Sequence, residues 1–482
     1  MILNLVLFWI GDTIKIRGEY LLNKEGDKMC GVFGVSNCKK AAENVYLGLH
    51  YNQHRAQDYA GIVSSDGVNL YRHIGKGIVQ DAFTQADLNA LHGKMAIGHI
   101  RYPTIPDKKE KEDDHKQKAQ PLTGSFKDRE VALVHNGNIF NCKELLKKIK
   151  KRRLKSAIDS ELILRLFCES KRVDDFRRVF DAVHCIKGTY SLIFLYDDTM
   201  IAVRDPHGNR PLALGKNGRS WFLSSETVAF DGMGVKYVRD VAPGEILKIT
   251  KKGLQSMYFN ENGLYSTPQD HKKAYCIFEL IYYSHPASFV FGQYVDDFQA
   301  KAGDVLFGES KVEADCVVGV PDSATFHSEG VSRASGIPLK KGLVRSHYIG
   351  RTFIEPFQQL RDIKVRKKFM AMKRLVKGKK IILVDDSIFR LTTLNGVVKL
   401  LKEAGATEIH GLIASPPIIR PCHYGIDVPT QKELIASHHS LKSIRRKSGL
   451  ASLKYLSIEG LKSLVPTPDD FCYACMTGDY PI

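Results

Sequence analysis

No apolar run in the sequence approaches the roughly 20 residues that a bilayer-spanning helix needs. The longest one near the start, Met1–Ile10, is half that length and has no basic segment before it, so a secretory signal is not expected. Cysteine is too thinly spread for a disulfide scaffold. Ten in 482 residues point instead to a reducing compartment, hence the cytoplasm, with thiols left over for chemistry or metal. Internal repeats and low-complexity linkers are also missing. Acidic residues fall short of basic ones, 53 against 71, for a net charge of +18, which invites a nucleic-acid reading. No domain owns that surplus, however: residues 1–29 are neutral, and Cys30–Thr250 and Lys251–Ile482 each carry nine excess basic residues. One window, Arg345–Lys380, sets twelve basic residues against Glu355 and Asp362. Neither an aromatic platform nor a known binding motif accompanies it, so neither nucleic acid nor membrane is an expected partner. A second basic run, Lys147–Lys155, reads as a solvated helix face.

Hydrophobic residues make up 43% of the chain, ample for the cores of two or three domains. From Cys30 to about Tyr258 short apolar alternations such as Val131–Val134, Ser191–Leu195 and Ile201–Val203 predict strands, with helices at Ala41–Leu49 and Ser160–Cys168. The polar stretch Asn260–Lys273 marks a boundary, dividing a unit 30–262 from a unit 263–482. Beyond it the period changes. Apolar runs at Cys316–Val320, Ile381–Val384 and Ile409–Ala414 alternate with helical segments such as Leu394–Glu403, the pattern of a parallel α/β sheet.

Five short motifs in the first unit carry chemistry. Cys30-Gly31-Val32-Phe33-Gly34 follows directly on Met29, and Gln53-His54-Arg55-Ala56-Gln57-Asp58, Gly98-His99-Ile100-Arg101-Tyr102, His135-Asn136-Gly137-Asn138 and Ile158-Asp159-Ser160-Glu161 come after it in order. The series resembles the class II (N-terminal nucleophile) glutamine amidotransferases. That resemblance implies a Cys30 nucleophile whose own α-amine, with an ordinary pKa near ~7.7–8.0, acts as the base. It also implies an oxyanion hole from the Asn136 side chain and the Gly137 N–H, Arg55 among the catalytic residues, Arg101 for the glutamine carboxylate and Asp159 for its ammonium. Residues 1–29 are then a leader, a propeptide or a misassigned start.

In the second unit, Ile381–Val384 is a buried strand ending in Asp385-Asp386, and a Ser/Thr loop (Ser387, Arg390, Leu391, Thr392, Thr393) opens the next helix. Ligands of open α/β sheets sit at such strand ends, and helix N-termini accept phosphate. The stretch resembles the signature of type I phosphoribosyltransferases, which bind phosphoribosyl pyrophosphate (PRPP). Ser323 in Val318–Ser323, together with Asp385 and Asp386, would then hold Mg²⁺ and ribose. Ser387, Arg390, Thr392 and Thr393 would hold the 5′-phosphate, and Arg351 in Tyr348–Ile354 the pyrophosphate. Cys276, Cys422, Cys472 and Cys475, the last two in a Cys-x-x-Cys turn, suit iron–sulfur or zinc.

One family joins these parts. The chain resembles the 4Fe–4S-bearing branch of the amidophosphoribosyltransferases. The expected fold is therefore an α+β N-terminal-nucleophile hydrolase domain, an αββα sandwich, followed by an α/β type I phosphoribosyltransferase domain. Glutamine and PRPP are the implied substrates, purine nucleotides the inhibitors, a homotetramer the assembly, and Mg²⁺ and a 4Fe–4S cluster the cofactors. Four departures stand out: Leu391 and Ala56 occupy positions where the family has glycine, Pro103, Ile105 and Pro106 follow Arg101-Tyr102, and Arg345-Ser346-His347 replaces Lys-Asn-Arg. They admit a second reading, a paralogue that has lost PRPP turnover and serves as a regulatory or binding subunit.

Overall fold

The computed structural model describes residues 30–101, 119–149, 154, 158–260, 262–268, 271–346, 368–426, 428 and 430–482. Arg351, residues 1–29, the Pro103–Pro106 departure and the whole expected pyrophosphate loop Tyr348–Ile354 lie outside them.

The first half stacks two seven-stranded sheets. β1 (Gly31–Ser36) and β2 (Met95–Arg101) are central in one, whose order is Lys236–Asp240, Ala213–Asn217, Ser220–Ser224, β1, β2, Tyr59–Ser65, Leu70–Lys76. β3 (Arg129–Ile139) and β4 (Gly188–Tyr196) pair in the other, flanked by Leu122–Phe126 on one side and by Thr199–Arg204, Glu245–Thr250, Gly253–Asn260 and Gly263–Tyr265 on the other. All inter-strand pairings in both sheets are antiparallel. β1, β2 and β4 are buried along their whole length because each sheet is covered on both faces.

Between the sheets, Val32 and Ile97 pack on Val134, Ile193 and Ala202. Outside the first sheet, α1 (Ala41–Tyr51) lays Val45 and Leu49 on Phe33 and Ile62. Outside the second, α2 (Asp159–Glu169) and α3 (Asp175–Val183) bury Leu162, Phe167 and Val179 against Leu133 and Phe194. Asp159 and Glu161 in the first turn of α2 complement its dipole, and α3 is capped by Asp174, which accepts the Arg177 N–H at 2.9 Å. The result is the four-layer αββα sandwich.

The second half is built on four parallel strands in the order β5 (Cys316–Gly319), β6 (Lys380–Asp385), β7 (Glu408–Ile413), β8 (Ser452–Tyr455). Helices α4 (Val295–Ser310), α5 (Thr325–Ser335) and α6 (Leu391–Glu403) share its core. Near-continuous Val/Ile/Leu in β5 and β6 reflects burial on both faces.

The expected break at residue 262 falls inside a hairpin. Gly263–Tyr265 pairs with Gly253–Asn260, and the polar Asn260–Asn262 corner is a turn in which the Asn262 N–H donates to Asn260 Oδ1 at 2.8 Å. Turn chemistry and linker composition look alike in a sequence. Among the described residues no helix is long and apolar enough to cross a membrane.

Candidate active site

Cys30 is fully buried, one residue before β1. The register Gly31↔Ile100 and Tyr59↔Arg101 leaves Arg101, at the end of β2, beside it. β3 faces β1 across the sandwich and carries Asn136 and Gly137, paired with Ser191 and Tyr190 of β4. Asn136 is 2% exposed, and its Nδ2 has no hydrogen-bond partner among the described residues, so a buried donor stands spare. A side chain at Gly137 has no room, since its Cβ would lie 2.0 Å from the Thr189 carbonyl oxygen. His135 ties this strand to α2 through Ser160 Oγ, 2.8 Å from its Nδ1. Asp159 accepts the Ile139 N–H at 3.1 Å and the Ser160 N–H at 2.8 Å.

Arg55 comes next in this arrangement. Its Nε donates to the Cys30 carbonyl at 2.9 Å, and its two terminal nitrogens grip Glu279 at 2.9 Å each. The same guanidinium also donates to Glu226, and Arg210 donates to Glu279 at 3.2 Å. These four charged side chains are 0–1% exposed. Burial works against the charge on Arg55, but Glu279 and Glu226 outweigh it and hold the guanidinium above its ordinary value. Burial likewise opposes ionisation of Glu226 and Glu279. For Glu226 the His54 and Arg55 contacts win, for Glu279 the Arg55 contact wins, and both carboxyls stay below the ordinary 4.5.

In the second half, Asp385 ends β6 and Asp386 follows, 6% and 5% exposed. The Asp386 N–H donates to Asp385 Oδ1 at 3.0 Å, and the Ser387 hydroxyl to Asp386 Oδ2 at 2.6 Å. Burial and the neighbouring Asp386 charge push the Asp385 carboxyl well above the usual carboxylate range. Ser323 lies in the turn after β5, on the same sheet edge, since β5 and β6 run parallel and adjacent. Arg390 caps α6 without a side-chain bond to it and is ion-paired with Glu433, while Thr392 and Thr393 are exposed in the first turn.

Neither glycine replacement sits where the backbone needs glycine. Ala56 has φ −160° and ψ 150°, extended backbone open to any residue. Leu391 is the first residue of α6 and packs against the core beneath the sheet.

The four cysteines come together. Cys276 and Cys472 are opposite each other in a two-stranded parallel ladder. With Cys422 and Cys475 they line one cavity, together with Asn209, Phe278 and Tyr424. All four are free thiols. Burial pushes the Cys472 thiol up to about 12, and both burial and the neighbouring thiols raise Cys475. Among the described residues no three His, Cys, Asp or Glu side chains are arranged to hold a single metal ion.

Three comparisons bear on this geometry. A family model described as a glutamine amidotransferase domain matches residues 108–232. An amidophosphoribosyltransferase of Bacillus subtilis is 40% identical over 95% of this chain and 94% of its own length. The chain belongs to the amidophosphoribosyltransferase family. Its family relatives include a chloroplastic protein of Arabidopsis thaliana, 41% identical over 94% of this chain and 78% of that one. Another, from Methanothermobacter thermautotrophicus, is 38% identical over 94% of each. Among solved structures, the glutamine PRPP amidotransferase of B. subtilis complexed with ADP and GMP superimposes with a TM-score of 0.85 at 39% identity, covering 94% of this chain and 97% of that one. A structure described as the allosteric regulatory enzyme of purine biosynthesis gives 0.86 at 39%, covering 94% and 96%.

The sequence reading gave no role to Glu226, Glu279 or Arg210. Glu279 had a signal, because a lone carboxylate within the apolar run Cys276–Ile281 must be paired if that run is buried. Glu226 had none.

Proposed function

We infer that the protein hydrolyses glutamine in its first half and uses the ammonia in its second. There ammonia displaces pyrophosphate from PRPP to give 5-phosphoribosylamine, the first committed step of purine synthesis. The observation that carries this reading is a fully buried Cys30 directly before β1, the strand packed on β3 with its spare Asn136 donor, in one chain with the Asp385-Asp386 strand end. No observation favours the paralogue without turnover, since both glycine replacements are accommodated.

Residues 30 to about 265 form the glutaminase unit in this proposal, and the working enzyme begins at Cys30. The α-amine takes the Cys30 thiol proton as the sulfur attacks the glutamine amide carbon and returns it to the departing ammonia, and water then splits the thioester to release glutamate. Asn136 Nδ2 and the Gly137 N–H receive the oxyanion, Arg55 holds the Cys30 backbone, Arg101 takes the glutamine carboxylate, and Asp159 its ammonium. Ammonia passes between the halves, which the buried Arg55–Glu279 contact keeps together. Asp385, Asp386 and Ser323 orient the ribose and would hold Mg²⁺, which when bound neutralises pyrophosphate oxygens. Ser387, Arg390, Thr392 and Thr393 take the 5′-phosphate, and Arg351 the pyrophosphate.

Four thiols lining one cavity, two of them from a Cys-x-x-Cys turn, suit a 4Fe–4S cluster. The cluster would cross-link the tail at Cys472 and Cys475 to the body at Cys276 and Cys422. Purine nucleotides act as inhibitors and the assembly is a homotetramer in this reading. The test is an assay of chain beginning at Cys30 for glutaminase alone and for phosphoribosylamine from glutamine or from ammonia. Glutaminase without either synthesis overturns the transferase assignment.

A further inference from the structure

The segment Cys422–Gly425 belongs to the second half but lies against the oxyanion strand of the first. The Asn138 side-chain amide donates to the His423 carbonyl at 2.7 Å. The Tyr424 carbonyl accepts from the Thr189 hydroxyl at 2.9 Å and from Arg210 at 2.6 Å. Gly425, at φ +90°, lies so close that a Cβ on it would stand 3.2 Å from the Gly137 carbonyl carbon and 3.3 Å from its oxygen. Thr189 is itself paired with Asn138 in the β3–β4 ladder. His423 and Gly425 thus press on β3, the strand that carries Asn136 and Gly137, and Tyr424 on its neighbour β4. The segment is anchored at its other end, where the Tyr424 N–H donates to Cys422 Sγ at 3.3 Å and Cys422 lines the four-cysteine cavity.

An oxyanion hole is effective only when its donors are already aimed, because realignment during the reaction forfeits their advantage. Asn136 Nδ2 has no internal bond to aim it among the described residues, so its direction depends on the backbone of its strand. That backbone is held from outside directly by the close approach of Gly425 and, through the neighbouring strand β4, by the Thr189 hydroxyl's bond to the Tyr424 carbonyl.

We propose that the Tyr424–Gly425 turn is a positioning element for the glutaminase oxyanion strand, so that hydrolysis of glutamine is completed by the second half of the chain and by the cavity that anchors it. The inference rests on the glutaminase reading above. Its test is the purified holoenzyme carrying Thr189→Val, Thr189→Ser or Gly425→Ala. Valine keeps the shape of threonine and removes only the hydroxyl that meets Tyr424. The expected result is a fall of about fivefold in glutaminase kcat for Thr189→Val, the scale of one hydrogen bond. Glutamine KM should stay within about twofold, and ammonia-dependent synthesis and iron and labile sulfide content should not change. Thr189→Ser should restore kcat. Gly425→Ala should lower kcat by about tenfold or more, again with ammonia-dependent synthesis retained.

Glutaminase kcat unchanged in both Thr189→Val and Gly425→Ala overturns the proposal, as does a loss that serine fails to rescue. A parallel loss of ammonia-dependent synthesis also overturns it, since that marks general misfolding. An unmodified protein with no glutaminase at all overturns the underlying functional reading instead.

Discussion

Replacing Glu226 by glutamine tests whether buried charge holds the two halves together. Glu226 is fully buried. One of its oxygens accepts from His54 at 2.8 Å and from Arg55, and the other from the His285 N–H and the Ser288 hydroxyl, at 2.8 Å each. A glutamine amide offers only one accepting oxygen, so its NH₂ must face a pair of donors. The Ser288 hydroxyl can turn to accept, but the His285 N–H cannot. If the amide oxygen stays with Arg55, the His285 bond is lost and Arg55 and Arg210 keep only Glu279 as counter-charge. Hydrogen bonds to charged groups are worth about 1.5–3 kcal/mol each, and breaking a buried ion pair from one side costs about 3–5 kcal/mol.

A loss of about 4 kcal/mol is therefore expected, or a drop of about 8–16 °C in the first thermal transition of a unit this size. Scanning calorimetry at several pH values checks it. Glu226 is held below its ordinary 4.5, so its contribution is fully present above pH 4.5 and is lost as pH falls toward its lower folded value. The gap between parent and variant should shrink below about pH 4.5. A shift under 2 °C at pH 7, or a gap that widens in acid, would refute the reasoning.

Cys30→Ala should abolish glutaminase while ammonia-dependent phosphoribosylamine formation persists, which a coupled assay with each nitrogen source reads directly. Asn136→Ala should lower glutaminase kcat by about 10²–10³-fold, the usual cost of one oxyanion donor, with glutamine KM much less affected. Asp386→Asn should remove synthesis from both glutamine and ammonia and leave PRPP-independent glutaminase intact. Cys475→Ser should lower bound iron and labile sulfide and loosen the C-terminal tail, seen as faster proteolysis after about residue 470.

How much of this was legible beforehand differs between local and long-range features. The strand core Ile381–Val384 and the helix Ser160–Cys168 appear within one residue of their expected bounds, and Val131–Val134 lies inside the longer strand Arg129–Ile139, because periodicity in a covered strand or helix reports burial directly. Within the Asn260–Lys273 stretch the cut at 262 falls in the hairpin that ends at Tyr265, since Asn and Gly make a hairpin corner as readily as a linker. Leu391 stood out because the family has glycine at that position. As the first residue of a helix, its side chain has core to pack against.

The order of motifs along the chain carried the family assignment, because residue type and spacing are enough to specify a nucleophile, an oxyanion donor or a carboxylate pair. Which residues support them was decided by the fold. Arg55 and Glu279 are 224 residues apart in sequence and 2.9 Å apart in space, and Thr189 meets Tyr424 across 235 positions. Nothing in local sequence encodes such a meeting. A buried charge is tolerable only where its partner arrives, and only the packing of one half on the other brings that partner in.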